Sequence, residues 1–220
     1  MTPAFGDARL AGVLAMLALI SGSLHVRAEY RGPRALVYLF KPLTVACLLV
    51  LALAVEPVSV RYQAAVAVGL ACSLAGDVFL MLPGDRFLPG VASFLLAHLA
   101  YLVAFTAGVP LGAGLLPLVP YALLGGSMLA VLWRGLGTLR IPVAVYVVVI
   151  VAMAWRAAGR AETLATAGAR LAAVGAALFV LSDALLALNR FRRPFRSAQA
   201  VIHATYYAAQ LAIAWSVGVA

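Results

Sequence analysis

The chain predicts an all-α, polytopic membrane protein, a single bundle of eight transmembrane helices spanning residues 1–220. Three observations carry that reading. Of the 220 residues, 65% are apolar and only 10% charged, where a soluble domain carries about a quarter charged. Mean hydropathy is +1.08. The apolar residues fall into eight runs, each near the ~20 residues that a helix needs to cross a bilayer. Prolines, glycines and arginines punctuate the breaks, as in Arg31-Gly32-Pro33-Arg34, Leu82-Pro83-Gly84-Asp85 and Arg192-Arg193-Pro194.

Taken in order, the runs cover 8–26, 36–55, 62–82, 91–109, 114–133, 140–157, 168–189 and 197–218. The first is as apolar as a signal peptide, but Met1 to Arg9 lacks a basic leader and no cleavage site follows, so it counts as a span. Ser21, Ser23 and His25 read as the end of that span and nothing more. The second run opens with Lys41-Pro42 in a first helical turn, where the missing proline N–H is harmless. Cys47 and Cys72 lie inside spans and read as packing residues.

The net charge of +9 is not a nucleic-acid signature, because the basic residues sit in short loops between apolar runs. Arg9, Arg61, Arg156, Arg160 and Arg170 flank one side, and the other eleven of the sixteen Lys and Arg flank the opposite side. Cytoplasmic loops hold the excess, so both termini are expected outside a cell membrane and the loops after the odd spans inside.

Polar residues inside the spans carry the functional argument. Gly76-Asp77 is followed by His98-Leu99-Ala100-Tyr101, and Ser182-Asp183 by His203-Ala204-Thr205-Tyr206. An ionisable residue in a membrane span costs several kcal/mol without a partner and is a functional hypothesis by default. Span direction places both Asp ~8–9 Å, and both His ~9–10 Å, inside the cytoplasmic boundary. Lys41 opens the second span on the same side. In the last span His203, Tyr206, Tyr207 and Gln210 share one face, as do Phe94, His98, Tyr101 and Phe105 in the fourth. The two motif copies lie four spans apart and enter the membrane in the same direction, the arrangement of two parallel four-helix repeats.

Two carboxyls at one depth in low dielectric favour one ionised and one protonated group, an acid and a base. The plain alternative is a structural clamp in which each Asp bonds Tyr or His on a neighbouring helix. His98 and His203 fit site and support equally well, and buried Tyr hydroxyls need partners in either case. Lys41 either snorkels to the interface or meets a phosphate. No metal or other cofactor is expected, because no two of these groups have the His-x-x-x-His spacing of a helical zinc site.

In Lys41-Pro42-Leu43-Thr44, Ser73 to Leu80, Phe94 to Tyr101, Val145-Tyr146-Val147, Ser182 to Ala187 and Tyr206 to Gln210, the sequence resembles the YhhN family. That family includes the animal transmembrane lysoplasmalogenases. The resemblance runs in order from about residue 30 to the C-terminus. It implies a membrane hydrolase that cleaves the vinyl-ether bond of lysoplasmalogens to a fatty aldehyde and a glycerophospho-compound. Its expected partner is a lysophospholipid in the bilayer. Asp77 and Asp183 would be catalytic, and Lys41, His98, Tyr101, Tyr146, Ser182, His203, Tyr206, Tyr207 and Gln210 would bind substrate or support. Two rival readings fit the paired acids: a di-aspartyl intramembrane protease, although Gly76-Asp77 lacks the wider Gly-x-Gly-Asp context, and a proton-coupled small-molecule transporter, although the acid-bearing spans contain no proline.

Overall fold

The computed structural model describes residues 5–219. Among these, eight α-helices and one 3-10 turn (Gly137–Leu139) are the only regular elements. The helices are α1 (Phe5–Arg31), α2 (Arg34–Ala54), α3 (Val60–Met81), α4 (Phe87–Thr106), α5 (Leu115–Leu132), α6 (Arg140–Leu164), α7 (Ala167–Phe191) and α8 (Ala198–Trp215). Seven are long and apolar enough to cross a membrane. The exception, α8, packs Gln199, His203, Tyr206, Tyr207 and Gln210 into 18 residues, and those polar groups lower its hydropathy.

Local chemistry accounts for the helix starts. The Ser59 hydroxyl accepts from the Tyr62 N–H and opens α3, and Thr166 does the same for α7 through Ala169. Pro33, in an extended conformation, precedes α2. Two readings are corrected. Pro42 lies in the third turn of α2, not the first, because the helix already begins at Arg34. Its missing N–H leaves the Tyr38 carbonyl without its helical donor. Arg156 and Arg160 are not loop charges, because α6 runs on to Leu164. Arg156 is buried and donates to the carbonyls of Val109 at 2.9 Å and Pro110 at 3.0 Å, while Arg160 donates to that of Ala107 at 2.7 Å. Together they clamp the α4–α5 connection.

Helices α1–α2, α3–α4 and α7–α8 pack as hairpins, α6 bridges α4 and α7, and α8 closes the ring against α1, α2 and α3. Helix α5 packs chiefly on α6 and is the least buried of the seven long apolar helices. Small residues set the close approaches. A Cβ on Gly69 would lie 2.2 Å from the Tyr101 ring, and one on Gly175 would lie 2.7 Å from Ile213 and 2.8 Å from the Ala209 carbonyl. Each glycine stands eight residues before its Asp. The α3–α4 and α7–α8 contacts therefore close at matching positions.

Candidate active site in a cavity walled by both acids

Helices α1, α3 and α7 end where α2, α4 and α8 begin, and a cavity of about 540 Å³ opens between those ends. Asp77 and Asp183 both line it. So do Lys41, Ser182, His203 and Tyr206, among the residues expected from sequence.

Asp77 lies one turn before the end of α3 and is 2% exposed. The Lys41 ammonium stands 3.5 Å from its Oδ1, and the Tyr206 hydroxyl donates to its Oδ2 at 2.8 Å. Both partners are buried. Lys41, expected at a phosphate, is thus turned onto a carboxylate. A buried ammonium without a counter-ion would cost several kcal/mol, so the pair holds together.

Asp183 lies two turns before the end of α7, with a side chain 16% exposed. Its Oδ2 accepts a short hydrogen bond from the Tyr146 hydroxyl of α6. His98 Nε2 of α4 stands 3.8 Å from the same oxygen. No Lys or Arg pairs with Asp183 among the described residues. His98 is fully buried, wedged edge-on between Tyr146, with ring centroids 5.2 Å apart, and Phe179 at 4.6 Å. Neither of its ring nitrogens has a hydrogen-bond partner among the described residues. Of the two Asp and two His expected at one depth, the acids lie in separate clusters, His98 stands beside Asp183, and His203 bonds neither acid and packs on His25 and Tyr207. Asp77 bonds Tyr206 of α8, and Asp183 faces His98 of α4.

Of the other expected residues, Tyr101, Tyr207 and Gln210 lie off the cavity lining, and Ser182 on its wall has its hydroxyl committed to a helix contact. Tyr101 donates to Gln210 Oε1 at 2.7 Å, a fully buried bridge between α4 and α8. The Ser182 hydroxyl donates to the Ile202 carbonyl at 2.9 Å, pinning α7 to α8 at the cavity wall. Tyr207 turns away from the cavity and shares a 2.8 Å hydrogen bond with His25 Nδ1.

His25 corrects the reading of span one. It is fully buried, 3.3 Å from Glu29 through Nε2, and its ring stands edge-on to His203 at 4.5 Å. Arg34 and Arg190, read from sequence as cytoplasmic-side charges, also line the cavity, as do Glu29, Asn189 and Gln199, which were not singled out from sequence. The i, i+4 spacing of His25 and Glu29 was the available signal for that pair. Phe179, at the centre of an aromatic cluster with Phe94, His98, Tyr101 and Tyr206, had no signal at all. At the rim, Arg190 pairs with Asp85 at 3.0 Å and stacks over Phe87. That contact ties the α3–α4 turn to the end of α7. Among the described residues no three His, Cys, Asp or Glu side chains group in a way that could hold a metal ion.

The sequence profile of the YhhN family matches residues 36–217. The chain belongs to the YhhN family. The uncharacterized membrane protein YhhN of Escherichia coli O6:H1 is 35% identical over 195 residues, 88% of this chain and 93% of that protein. Human lysoplasmalogenase TMEM86B is 43% identical over 148 residues, 67% of this chain and 60% of that protein. Bovine lysoplasmalogenase TMEM86A is 39% identical over 156 residues, 68% of this chain and 63% of that protein. No solved structure matches the chain.

Proposed function

We propose that this protein is a lysoplasmalogenase-like membrane hydrolase that cleaves the vinyl-ether bond of a lysophospholipid. The names of its mammalian relatives support the class of reaction. The observation that carries the chemistry is a single cavity walled by two carboxyls, one facing an ammonium and one facing none.

Vinyl ethers hydrolyse by protonation of the β-carbon, followed by capture of an oxocarbenium ion by water. Asp183, without a cation beside it, is the proton donor. Its O–H bond breaks as the vinyl π electrons form the new C–H bond. Asp77, held as carboxylate by Lys41, faces the developing cation and takes a proton from the attacking water. The hemiacetal then collapses: its C–O bond to glycerol breaks as Asp77 returns its proton to the glycerol oxygen, and Asp183 takes the hemiacetal hydroxyl proton, which releases a fatty aldehyde and the free glycerol hydroxyl and resets both acids. A positioned acid and base of this kind contribute about 10²–10⁴-fold each, and a preorganised carboxylate stabilises charge as it forms. Arg34 and Arg190 at the mouth suit the phosphate, since a guanidinium matches its oxygens in bidentate fashion.

In the same reading all eight helices lie in one integral membrane unit. Helix α8 turns Gln199, His203 and Tyr206 to the cavity, both termini are extracytoplasmic, and the cavity opens in the cytoplasmic leaflet of the cell membrane. The matched Gly–Asp spacings of α3 and α7 support two parallel repeats.

The test is aldehyde release by purified protein from an alkenyl lysolipid, beside its alkyl and acyl analogues. Aldehyde from the alkenyl lipid alone is expected. Fatty acid from the acyl lipid, or no product from any of the three, would refute the assignment.

A further inference from the structure

We infer that the hydrocarbon chain of the substrate lies in an apolar groove between α4, α5, α6 and α7, entered from the lipid beside α5. This rests on the hydrolase reading above and adds a subsite to it.

The groove runs along the side of the bundle where α5 leaves most of its surface open. Met128 and Leu132 of α5, Val147 and Val151 of α6, and Ala184 and Ala187 of α7 form its walls. Among its lining residues only Asp183 and Tyr146 carry polar side-chain atoms, and those two are bonded to each other. The groove is therefore an apolar corridor that ends on the Asp183 carboxyl. On the other side of that carboxyl lies the polar cavity with Lys41, Arg34 and Arg190. Leu80, Phe87, Phe94 and Leu186 belong to both walls, so the two spaces are contiguous.

This layout fits one occupant, an amphiphile with a single chain. With its anionic head in the cavity and its chain in the groove, the atoms joining the two lie at Asp183. Those are the atoms at which a vinyl ether must be protonated. Gly125 lets α5 pack closely on α6 behind the groove, because a Cβ there would come within 2.7 Å of Val151 and 3.0 Å of Val147. The groove is only about 90 Å³, room for roughly three waters at ~30 Å³ each. It holds the first few carbons, and the rest of the chain runs into the bilayer along α5. Selection therefore acts on the carbons next to the ether and not on total chain length.

Two measurements test this. Ala187→Phe and Ala184→Leu fill the corridor from two residues that are not part of the polar cavity lining. Each is expected to lower kcat/KM for a hexadecenyl lysolipid about tenfold, through KM, the loss of burial of about two methylenes. An ethenyl analogue, whose chain ends at the two vinylic carbons, should change by less than about twofold, which also shows that the variant is folded. No change on either substrate, or equal loss on both, would overturn the proposal.

The second measurement uses an alkyl-ether lysolipid with a diazirine on the third chain carbon. Lacking the vinyl π bond, it probes binding whether or not the protein releases aldehyde, so failure of the groove and failure of the hydrolase reading are told apart. Label is expected within 124–132 and 143–151, and should be lost in Ala187→Phe. Label on α1 or α8 instead, or label abolished by excess two-chain phospholipid, would overturn it.

Discussion

Asp77 is set between an ammonium and a hydroxyl, and Asp183 between a hydroxyl and an imidazole. Asp77 is the more enclosed, with 3% of its side chain exposed against 16% for Asp183. Asp183 alone also borders the apolar groove. The same residue type at matching places in two hairpins has thus been given two environments. One faces an ammonium, and the other faces no Lys or Arg among the described residues. Division of labour between two acids requires that kind of asymmetry, and identical surroundings would not supply it.

The largest effect is expected at Asp183. Asp183→Asn keeps the shape and the Tyr146 contact but has no acidic proton. Aldehyde release should fall about 10³–10⁴-fold, with melting temperature little changed, since no cation is stranded. Retention of more than a tenth of the activity would reverse the assignment of roles.

Asp77→Asn comes next. Activity should fall about 10²-fold or more, and stability should fall with it by about 3–5 kcal/mol, because Lys41 is left buried without its counter-ion. A double variant, Lys41→Met with Asp77→Asn, should regain most of that stability and none of the activity. Thermal unfolding in detergent, with the two single variants completing the cycle, reads the coupling. If the cycle shows no coupling, the Lys41–Asp77 pair is not what separates the two acids.

Smaller effects are expected from the hydroxyls. Tyr146→Phe and Tyr206→Phe each remove one hydrogen bond to a carboxyl group, worth about 1.5–3 kcal/mol when the acceptor is charged. Tyr206→Phe should shift thermal stability more, because its acceptor is the ionised partner, and Tyr146→Phe should act mainly on kcat. The reverse pattern would mean that Asp183 carries the charge. Arg190→Ala gives the smallest change. Its pair with Asp85 is solvent-exposed, with side chains 47% and 72% accessible, and exposed pairs are worth ~0–1 kcal/mol. A modest rise in KM with stability intact is expected, and an unchanged KM would remove Arg190 from headgroup binding.

Much of this site was legible because a polar side chain on an apolar helix stands out. Asp77, Asp183, His203 and Tyr206 break their runs, and helix direction alone brings them to one end of the bundle. His25 was passed over because it sits near the end of its apolar run, where a polar residue is ordinarily unremarkable. Phe179 was invisible because one aromatic among apolar residues carries no signal until its neighbours are known. Lys41 was found and its partner was not, since a cation near a helix start suits a phosphate and a carboxylate equally well from sequence.

What the sequence by itself determined is the set of apolar helices, their order and the end at which the ionisable groups gather. Hydropathy and the 3.6-residue period are properties of each segment alone, so they need no partner to be read. Only the tertiary structure decided which groups meet. The meeting of α3 with α8 through Asp77 and Tyr206, and of α7 with α6 and α4 through Asp183, Tyr146 and His98, depends on how the α3–α4 and α7–α8 hairpins, each closed at a glycine, are set beside one another and on where α5 stays away. Those are packing relations between segments far apart in the chain. No single helix encodes them, and they gave one acid a counter-ion and the other an apolar corridor.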